Sequence, residues 1–311
     1  MATPKLIAVV GPTGTGKSDL GLAIAQHLIA NGQPAEIVNS DAMQFYRGMD
    51  IGTAKLPLQE RHGIPHHLID HLQITDESTA AEYQNLARPL IEQLQADGKV
   101  PVMVGGSMLY IAAVLNQFDF PGTDAQLRQE LEARLEELGS VALHAELAQL
   151  DPVAGSRVDP LNPRRVVRAI EIIRLTGKPF AAALPEVPVE WQASLQIGLN
   201  SERSHLVDRL QGRVQRMWNE GLIDEVADLI PAGLRAAKTA SRAIGYAQAL
   251  AQLDGLISQD EAIAQTVQLT QKYARRQMSW FRRDKRIQWL DYQNPNSTAQ
   301  ALALAETWLE S

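Results

Sequence analysis

The chain contains no cysteine among its 311 residues. It therefore has neither a disulfide framework nor a metal site built on thiolates. No apolar run reaches the ~18 residues that a membrane-spanning helix needs, and no signal-peptide pattern precedes the first apolar segment. Aromatic residues make up only 5% of the chain, whereas its 45% hydrophobic and 21% charged residues are ordinary for a folded globular protein. We therefore expect a folded cytoplasmic protein with no membrane partner.

Positive charge is in deficit overall, because the formal net charge is −7. An acidic total argues weakly against a nucleic-acid partner, but the charge is unevenly distributed. Residues 272–286 carry seven lysines and arginines against one acidic residue, and residues 164–178 carry five against one. A globally acidic chain with two such basic stretches can still bind a polyanion along one face.

The most specific motif is a glycine loop at residues 11–18, GPTGTGKS, which has the form G-x-x-x-x-G-K-[ST]. Residues 6–10 before it predict a buried parallel strand and residues 19–30 after it predict a helix, which is the context that the motif requires. The backbone N–H groups of such a loop surround a phosphate, while Lys17 adds positive charge and the Ser18 hydroxyl binds Mg²⁺. The motif predicts a site for a di- or triphosphate without saying which. The alternative is a glycine-rich turn before an ordinary helix.

A second strand, predicted at residues 35–39, leads into Asp41. Residues just past the carboxyl end of a strand in an open parallel sheet face the ligand crevice, so Asp41 is expected to look towards Lys17. Its carboxylate has three interpretations: a water-mediated Mg²⁺ ligand, a general base, or a helix N-cap. A third strand at residues 100–104 ends in glycine rather than in the Asp of a Walker-B nucleotidase, which argues against ATP hydrolysis.

Three histidines and an aspartate lie close together in residues 65–71. This composition invites a metal-site interpretation. A continuous strand, however, would place His67 and His71 on one face and His66 on the other. We therefore favour hydrogen-bonded structural residues at the edge of the crevice over transition-metal ligands.

The character of the chain changes near residue 118. We interpret residues 118–188 as a helical insertion into a core formed by residues 1–117 and 189–311. Within the insertion, helices are predicted at residues 124–138, 141–150 and 164–175. In the core, helices are predicted at residues 78–94, 108–115, 204–220, 222–229, 242–253, 259–282 and 298–309, and further strands at residues 195–199 and 286–290.

Taken together, the motifs resemble one family, the tRNA dimethylallyltransferases, also called tRNA isopentenyltransferases or IPP transferases. Besides the glycine loop, they are NSDAMQFYRGMDIGTAK (39–55), PHHLID (65–70), VPVMVGGSMLY (100–110), NPRRVVRAIEIIRLTGKP (162–179), RVQRMWNEGLIDEV (213–226), RAIGY (242–246) and YARRQMSWFR (273–282). They follow the family's order and span nearly the whole chain. TGTGK stands where the family more often has TASGK, and DAMQ stands for DSMQ.

The resemblance implies an α/β fold: a P-loop, nucleotide-kinase-like core with a parallel sheet, a helical insertion that contacts tRNA, and a mostly helical C-terminal part. It implies transfer of a dimethylallyl group from dimethylallyl diphosphate to the exocyclic amine of the adenosine 3′-adjacent to the anticodon. Mg²⁺ is the implied cofactor and the tRNA anticodon stem-loop the implied partner, and we expect a monomer. The loop would then hold a diphosphate that leaves, which accounts for the missing Walker-B Asp.

The resemblance also assigns roles by matching position. Asp41 stands at the catalytic aspartate, and Ser107 stands where the family has threonine near the reacting centre. Arg213 matches an arginine that binds the diphosphate beside Lys17. The implied diphosphate site, with Ser18 also holding Mg²⁺, is Gly11, Pro12, Thr13, Gly14, Thr15, Gly16, Lys17 and Ser18. The implied tRNA-binding residues are Asp41, Ala42, Met43, Gln44, Arg164, Arg165, Val166, Val167, Arg168, Arg242, Ala243, Ile244, Gly245, Tyr246, Arg275, Arg276, Gln277, Met278, Ser279, Trp280, Phe281 and Arg282.

Several alternatives stay open at this stage. For Arg174 and Arg283 the alternative is a solvated charge on a helix face, and Trp280 and Phe281 are more typical of a core than of a base-stacking surface. The glycine loop alone would suit a small-molecule or nucleoside kinase. A non-catalytic RNA-binding module with a relic phosphate site is the other rival.

Overall fold

The structure, a computed structural model, describes residues 5–118, 120–180 and 189–311. The chain divides into two compact units, a larger one of Met1–Leu115 with Trp191–Ser311 and a smaller one of Asn116–Glu190. The predicted end of the insertion at residue 188 lies outside the described residues.

The larger unit is built on a parallel sheet, which confirms the α/β class that the resemblance implies. Within the described residues its strands are β1 (Ile7–Val10), β2 (Ala35–Asn39), β3 (His66–His67), β4 (Val100–Val104), β5 (Leu195–Asn200) and β6 (Gln288–Asp291). Their order is β3-β2-β4-β1-β5-β6, and each neighbouring pair is parallel. The carboxyl ends of β1, β2 and β4 therefore meet at one edge, where a parallel sheet places its ligands.

Helices cover both faces of this sheet, as its fully buried central strands require. In chain order the helices of the two units are α1 (Lys17–Ala30), α2 (Ala80–Ala96), α3 (Met108–Leu115), α4 (Ala125–Leu150), α5 (Pro152–Arg157), α6 (Pro163–Thr176), α7 (Arg203–Asn219), α8 (Leu222–Leu229), α9 (Tyr246–Leu253), α10 (Gln259–Phe281) and α11 (Ser297–Glu310). Successive residues of β1 point to opposite sides, so Ile7 and Val9 join one apolar core and Ala8 and Val10 join the other.

Local signals set the helix ends. Thr79 and Glu82 form a capping box at the start of α2, and Ser258 and Glu261 form another at the start of α10. A further short helix, Ala42–Phe45, follows β2 directly. These signals place α2 and α10 close to their predicted positions.

The smaller unit is helical. Its helix α4 is interrupted at Gly139, whose φ of 79° and ψ of 163° are not helical, so the two helices predicted around this residue are confirmed. Helix α6 begins at Asn162, whose side chain accepts a hydrogen bond from the Arg165 N–H, and ends at Gly177 in the left-handed conformation. Its core is the apolar cluster of Leu131, Leu143, Leu147, Ala154, Val158, Val166, Val167, Ala169 and Ile170.

One helix start differs from its prediction. The helix predicted from residue 242 begins only at Tyr246, because Gly245 has φ 94° and ψ −50° and breaks the helical path. The continuous strand considered for residues 65–71 does not form: β3 ends at His67, and Leu68 and Asp70 both have positive φ. The alternation that was to separate the histidines therefore does not exist.

None of the helices in the described ranges combines the length and the apolar composition that a bilayer crossing demands.

Candidate active site

The glycine loop joins β1 to α1 in the conformation that phosphate binding needs. Gly11 has φ 138°, and a Cβ there would lie 2.6 Å from the Leu199 carbonyl oxygen. Gly16 has φ 77° and leads directly into α1. The buried Thr15 hydroxyl donates a 2.8 Å hydrogen bond to the Pro12 carbonyl and so closes the turn. The loop therefore presents the positive end of α1 to the edge of the sheet.

Lys17 is the first residue of α1, and its Nζ donates a 2.8 Å hydrogen bond to the Pro12 carbonyl. Burial lowers the pKa of Lys17 to about 8; the Asp41 carboxylate opposes this shift and the Arg213 guanidinium adds to it. At neutral pH the amine is therefore still mainly charged, with little solvation to lose when an anion arrives.

Asp41 follows β2, and its carboxylate is near enough to the Lys17 amine to affect the pKa of that amine. Its Oδ1 accepts a 3.1 Å hydrogen bond from the Met43 N–H, so Asp41 is the N-cap of the short helix Ala42–Phe45. Within the described residues no donor is hydrogen-bonded to the other oxygen, Oδ2. Capping and acid–base chemistry are thus compatible, because the two functions use different oxygens of one carboxylate.

Ser107 lies just past β4 and is hydrogen-bonded to Ala42, the residue after Asp41. Its buried Oγ accepts a 2.9 Å hydrogen bond from the Ala42 N–H. The preceding Gly105 packs on Ser40 so closely that a Cβ would lie 2.4 Å from the Ser40 carbonyl carbon. The ends of β2 and β4 are therefore locked together, which places Ser107 beside the carboxylate.

Tyr273 of α10 also reaches this point, although only its membership in a motif singled it out in the sequence. Burial and, to a smaller extent, the Asp41 carboxylate together raise the pKa of Tyr273 to about 12, and the Ser107 hydroxyl opposes this shift. Gln277, four residues later on the same helix, accepts a hydrogen bond from Thr13 of the glycine loop.

Two arginines of α7 face the glycine loop. Arg213 donates a 3.2 Å hydrogen bond from Nη2 to the Thr53 carbonyl, and burial lowers its pKa against the opposing effect of Asp41. Arg209, one turn earlier, donates a 2.8 Å hydrogen bond from Nε to the Gly14 carbonyl and lies 4.1 Å from the centre of the Tyr292 ring. Arg209 was not predicted from the sequence as a site residue, although its spacing of four from Arg213 places the two side chains on one helix face.

A cleft of about 920 Å³ is lined by Lys17, Arg213 and Asp41. Ser107 and Tyr273 are not among its lining residues. Other residues that line it include Thr13, Gly16, Ser18, Gln44, Lys55 and Arg209, and further carboxylates come from Asp19, Asp50, Glu60, Asp208 and Glu220. Lys17, Arg213 and the N-terminus of α1 therefore lie around the same space as the Asp41 carboxylate, so an anion can bind there next to a proton acceptor.

Residues 50–55 form one wall of the cleft, and hydrogen bonds to Glu225 hold this loop in place. The Glu225 carboxylate accepts hydrogen bonds from the N–H groups of Asp50 (3.0 Å), Ile51 (2.6 Å) and Gly52 (3.3 Å). It also accepts a 2.5 Å hydrogen bond from the Tyr246 hydroxyl. Glu225 thereby fixes the loop whose carbonyl at residue 53 receives Arg213.

We expect replacement of Glu225 by alanine to lower the free energy of unfolding by about 2 kcal/mol, because two partly buried backbone donors and the Tyr246 hydroxyl lose a charged acceptor. The matched control is Asp224→Ala, an exposed acidic residue of the same helix, which should change it by less than about 0.5 kcal/mol. Urea unfolding measures both; equal effects of the two substitutions would refute this role.

Two of the three histidines in residues 65–71 are hydrogen-bonded within the protein. The His67 Nε2 is hydrogen-bonded to Glu36 Oε2 at 2.6 Å, and the His66 Nδ1 to the Ile64 carbonyl at 2.8 Å. Among the residues that the structure describes, no group of three or more His, Cys, Asp or Glu side chains is placed to hold a metal ion. The hydrogen-bonded interpretation of His66 and His67 is confirmed.

The residues implied to bind tRNA separate into exposed and buried sets. The exposed members are Arg164, Arg165, Arg242, Arg275, Arg276, Ser279 and Arg282. The side chains of the buried members lie in the core, and contact of these residues with tRNA stays a prediction: Ala42, Val166, Val167, Ala243, Tyr246, Gln277 and Phe281. Phe281 is thus a core residue, as its alternative interpretation held, and Trp280 packs partly buried beside it.

Arg168 and Arg174 are engaged within the smaller unit. Arg168 donates to the buried Glu171 carboxylate at 2.5 Å and to the Pro121 carbonyl at 2.6 Å. Arg174 forms ion pairs of 3.0 Å with Glu130 and 2.9 Å with Glu146. Arg168 is therefore a structural arginine here, whereas Arg174 is exposed and forms its ion pairs on a solvated helix face.

The chain is similar in sequence to known proteins over most of its length. A family model described as IPP transferase matches residues 44–284. The chain is 54% identical over 299 residues to a tRNA dimethylallyltransferase of Thermobifida fusca, an alignment that covers 96% of this chain and 93% of that protein. It is 52% identical over 289 residues to the tRNA dimethylallyltransferase of Streptomyces griseus subsp. griseus, covering 93% and 91%.

Solved structures agree. The full-length tRNA isopentenylpyrophosphate transferase from Bacillus halodurans matches with a TM-score of 0.72 and 38% identity, covering 99% of this chain and 97% of that one. A eukaryotic dimethylallyltransferase acting on tRNA matches with a TM-score of 0.83 and 26% identity, covering 99% and 80%. These matches confirm the resemblance found in the sequence motifs. With a family model over most of its length and relatives above 50% identity, the chain belongs to the IPP transferase family.

Proposed function

We propose that the protein transfers a dimethylallyl group from dimethylallyl diphosphate to N6 of the adenosine 3′-adjacent to the anticodon of tRNAs, giving N6-isopentenyladenosine and diphosphate. The observation that carries this proposal is the placement of Lys17 and Arg213 around the same cleft as the Asp41 carboxylate. Family membership supports the same reaction, because the relatives are named for it.

The cations act on the leaving group. As the allylic C–O bond breaks, negative charge grows on the diphosphate, so Lys17, Arg213 and the loop amides bind the transition state more tightly than the substrate. The allylic carbon can carry positive charge, which makes leaving-group stabilisation the main contribution. Arg213 is already aimed by its hydrogen bond to the carbonyl of Thr53.

The site fits Mg²⁺ bound together with a diphosphate. Mg²⁺ prefers oxygen ligands and is usually held by few protein groups plus phosphates and water. The Ser18 hydroxyl, exposed in the first turn of α1, offers such an oxygen, so the absence of a three-residue ligand cluster among the described residues is no conflict. When bound, the ion would neutralise charge on the departing diphosphate.

Asp41 is the proton acceptor in this proposal. An aromatic amine is a poor nucleophile, and attack leaves a positive charge on its nitrogen unless a base removes the proton. The uncapped Oδ2 is the atom for this role, since Oδ1 holds the Met43 N–H. Ser107, beside it, is placed to hydrogen-bond near the reacting centre.

The tRNA partner is bound by exposed basic residues, and the target base leaves its stack to enter the cleft. Phosphate contacts from arginines supply affinity, while anticodon-loop bases and shape supply specificity. A tRNA substrate also supports action in the cytoplasm, and we propose that the protein works as a monomer.

Neutralising Arg275 and Arg276 together by glutamine should weaken tRNA binding and flatten its salt dependence, because each lost phosphate contact lowers the slope by roughly one unit. Both side chains are exposed on α10, and glutamine retains most of the aliphatic stem. Binding of an anticodon stem-loop, measured against salt concentration, tests this expectation.

The control for that pair is Arg235→Gln, an exposed arginine that is ion-paired with Asp254. An unchanged slope in the double variant would remove this part of α10 from the tRNA interface.

Pyrophosphate should bind less tightly as the pH is raised through about 8. Burial lowers the pKa of Lys17, so its amine is protonated below that pH and neutral above it, and the attraction to the anion is lost. Calorimetric titration of the wild type and of Lys17→Ala at several pH values separates the lysine from the ligand, whose own titration is common to both proteins. Parallel pH profiles would contradict the assignment.

The reaction itself is tested by mass spectrometry of an anticodon stem-loop RNA incubated with the protein, Mg²⁺ and dimethylallyl diphosphate. We expect the RNA to gain one five-carbon unit at the adenosine, and no change when ATP replaces the donor. ATP turnover on a small metabolite with unchanged RNA would instead favour the kinase interpretation.

A further inference from the structure

One buried side chain connects the glycine loop to the reacting centre. Gln277 of α10 is only 2% exposed. Its Oε1 accepts a 2.9 Å hydrogen bond from the Thr13 N–H, and its Nε2 donates a 2.8 Å hydrogen bond to the Gly106 carbonyl. Thr13 belongs to the loop that faces the diphosphate, and Gly106 immediately precedes Ser107. The glycine loop and the segment that follows β4 are therefore joined through a single amide.

The chemistry of the bridge is specific to glutamine. It needs an acceptor on one side and a donor on the other at the same side-chain length, which a primary amide provides. Glutamate would keep an acceptor for Thr13 but would turn a second oxygen towards the Gly106 carbonyl. The fit is also close, since a Cβ on Gly106 would lie 2.4 Å from the Gln277 Nε2.

The same helix carries two functions on two sides. Tyr273, four residues before Gln277, is partly buried, and the Asp41 carboxylate raises the pKa of its hydroxyl. Arg275 and Arg276 between them are exposed. One face of α10 thus contacts the glycine loop and the segment after β4 through Gln277. Arg275 and Arg276 are exposed and are available to the polyanion.

We propose that Gln277 is a positioning residue that fixes the distance between the diphosphate held by the glycine loop and the acceptor held at Asp41 and Ser107, and that it does not contact tRNA. The inference rests on the proposed function. Because the Thr13 N–H is already hydrogen-bonded to Gln277, the diphosphate would be bound by the other N–H groups of the glycine loop.

The test compares Gln277→Glu and Gln277→Leu with the wild type in single-turnover transfer to an anticodon stem-loop. We expect each variant to lose at least tenfold in transfer rate at saturating RNA, with a raised KM for dimethylallyl diphosphate. The dissociation constant for the RNA and its salt slope should stay within twofold. Gln268→Glu, an exposed glutamine on the same helix, is the matched control and should behave as the wild type.

Different results overturn different claims. A variant that binds RNA more weakly but transfers at the normal rate when saturated would make Gln277 an RNA contact and refute the positioning role, as would wild-type rate and KM in both variants. If either variant is unfolded by circular dichroism, the other decides. A wild type that leaves the RNA unmodified contradicts the proposed function itself, which distinguishes the two failures.

Discussion

Asp41→Asn is expected to lower the rate of dimethylallyl transfer by about 10²–10⁴-fold, the usual contribution of a positioned general base. Asparagine retains an oxygen for the Met43 N–H, so the cap of the short helix Ala42–Phe45 is preserved and only the basic oxygen is lost. Binding of tRNA should stay within a few-fold of the wild type. Single-turnover transfer and RNA binding, measured on the same preparation, give both numbers.

Comparison with Asp41→Ala separates chemistry from structure. Alanine also removes the cap, which costs about 1 kcal/mol of stability, whereas asparagine does not. If the carboxylate is the base, the two variants share the same loss of rate but differ in stability. Asp260→Asn, an exposed aspartate in the first turn of α10, should leave both quantities unchanged. A nearly active Asp41→Asn protein would rule out the proton-acceptor role.

Lys17→Ala should raise the activation free energy of transfer by about 3–4 kcal/mol, equivalent to a loss of about 10²–10³-fold in rate. The loss should fall mainly on kcat, since the charge on the diphosphate grows as the bond breaks and the lysine is worth most at that point. Lys17 is partly buried, and this burial lowers its pKa to about 8, so its interaction with an anion is screened less than that of an exposed lysine.

Steady-state kinetics with dimethylallyl diphosphate as the varied substrate measures this effect. Lys99→Ala is the control, because Lys99 is ion-paired with Glu36 rather than facing the glycine loop. A Lys17→Ala protein with unchanged turnover would show that the loop does not act on the leaving group.

The parts of the site that lie within one short stretch were predictable. Strand, glycine turns, lysine and helix follow one another in residues 6–30, so the glycine loop could be identified without tertiary information. The helix ends marked by Glu82, Gly177 and Gly221 are local signals of the same kind, and the structure places helix ends beside them.

The parts that depend on distant contacts were not predictable. Leu68 and Asp70 leave the strand because their backbone is held from elsewhere: the Asn39 side chain donates to the Leu68 carbonyl, and the Asp70 N–H donates to the Gln44 carbonyl. No pattern within residues 65–71 carries this information. Glu225 was missed for the same reason, since its partners at residues 50–52 lie far from it in the chain.

The family resemblance assigned tRNA contacts to whole segments of the chain. The structure shows that residues within one segment differ in burial. In α6 the exposed Arg164 and Arg165 are followed by the buried Val166 and Val167. Helical periodicity could have separated the apolar face from the basic one. It could not have revealed that Gln277 is engaged by two loops of the cleft, because a buried polar residue finds its partners only in the folded chain.

The central claim is that the glycine loop holds a diphosphate that leaves when an RNA amine attacks. It is tested most directly by counting products from dimethylallyl diphosphate labelled in its phosphates, in a single turnover with anticodon stem-loop RNA and Mg²⁺. We predict one pyrophosphate released for each adenosine modified, and no release when the RNA is omitted. Release of phosphate from ATP, with the RNA unmodified and the labelled donor intact, would contradict it.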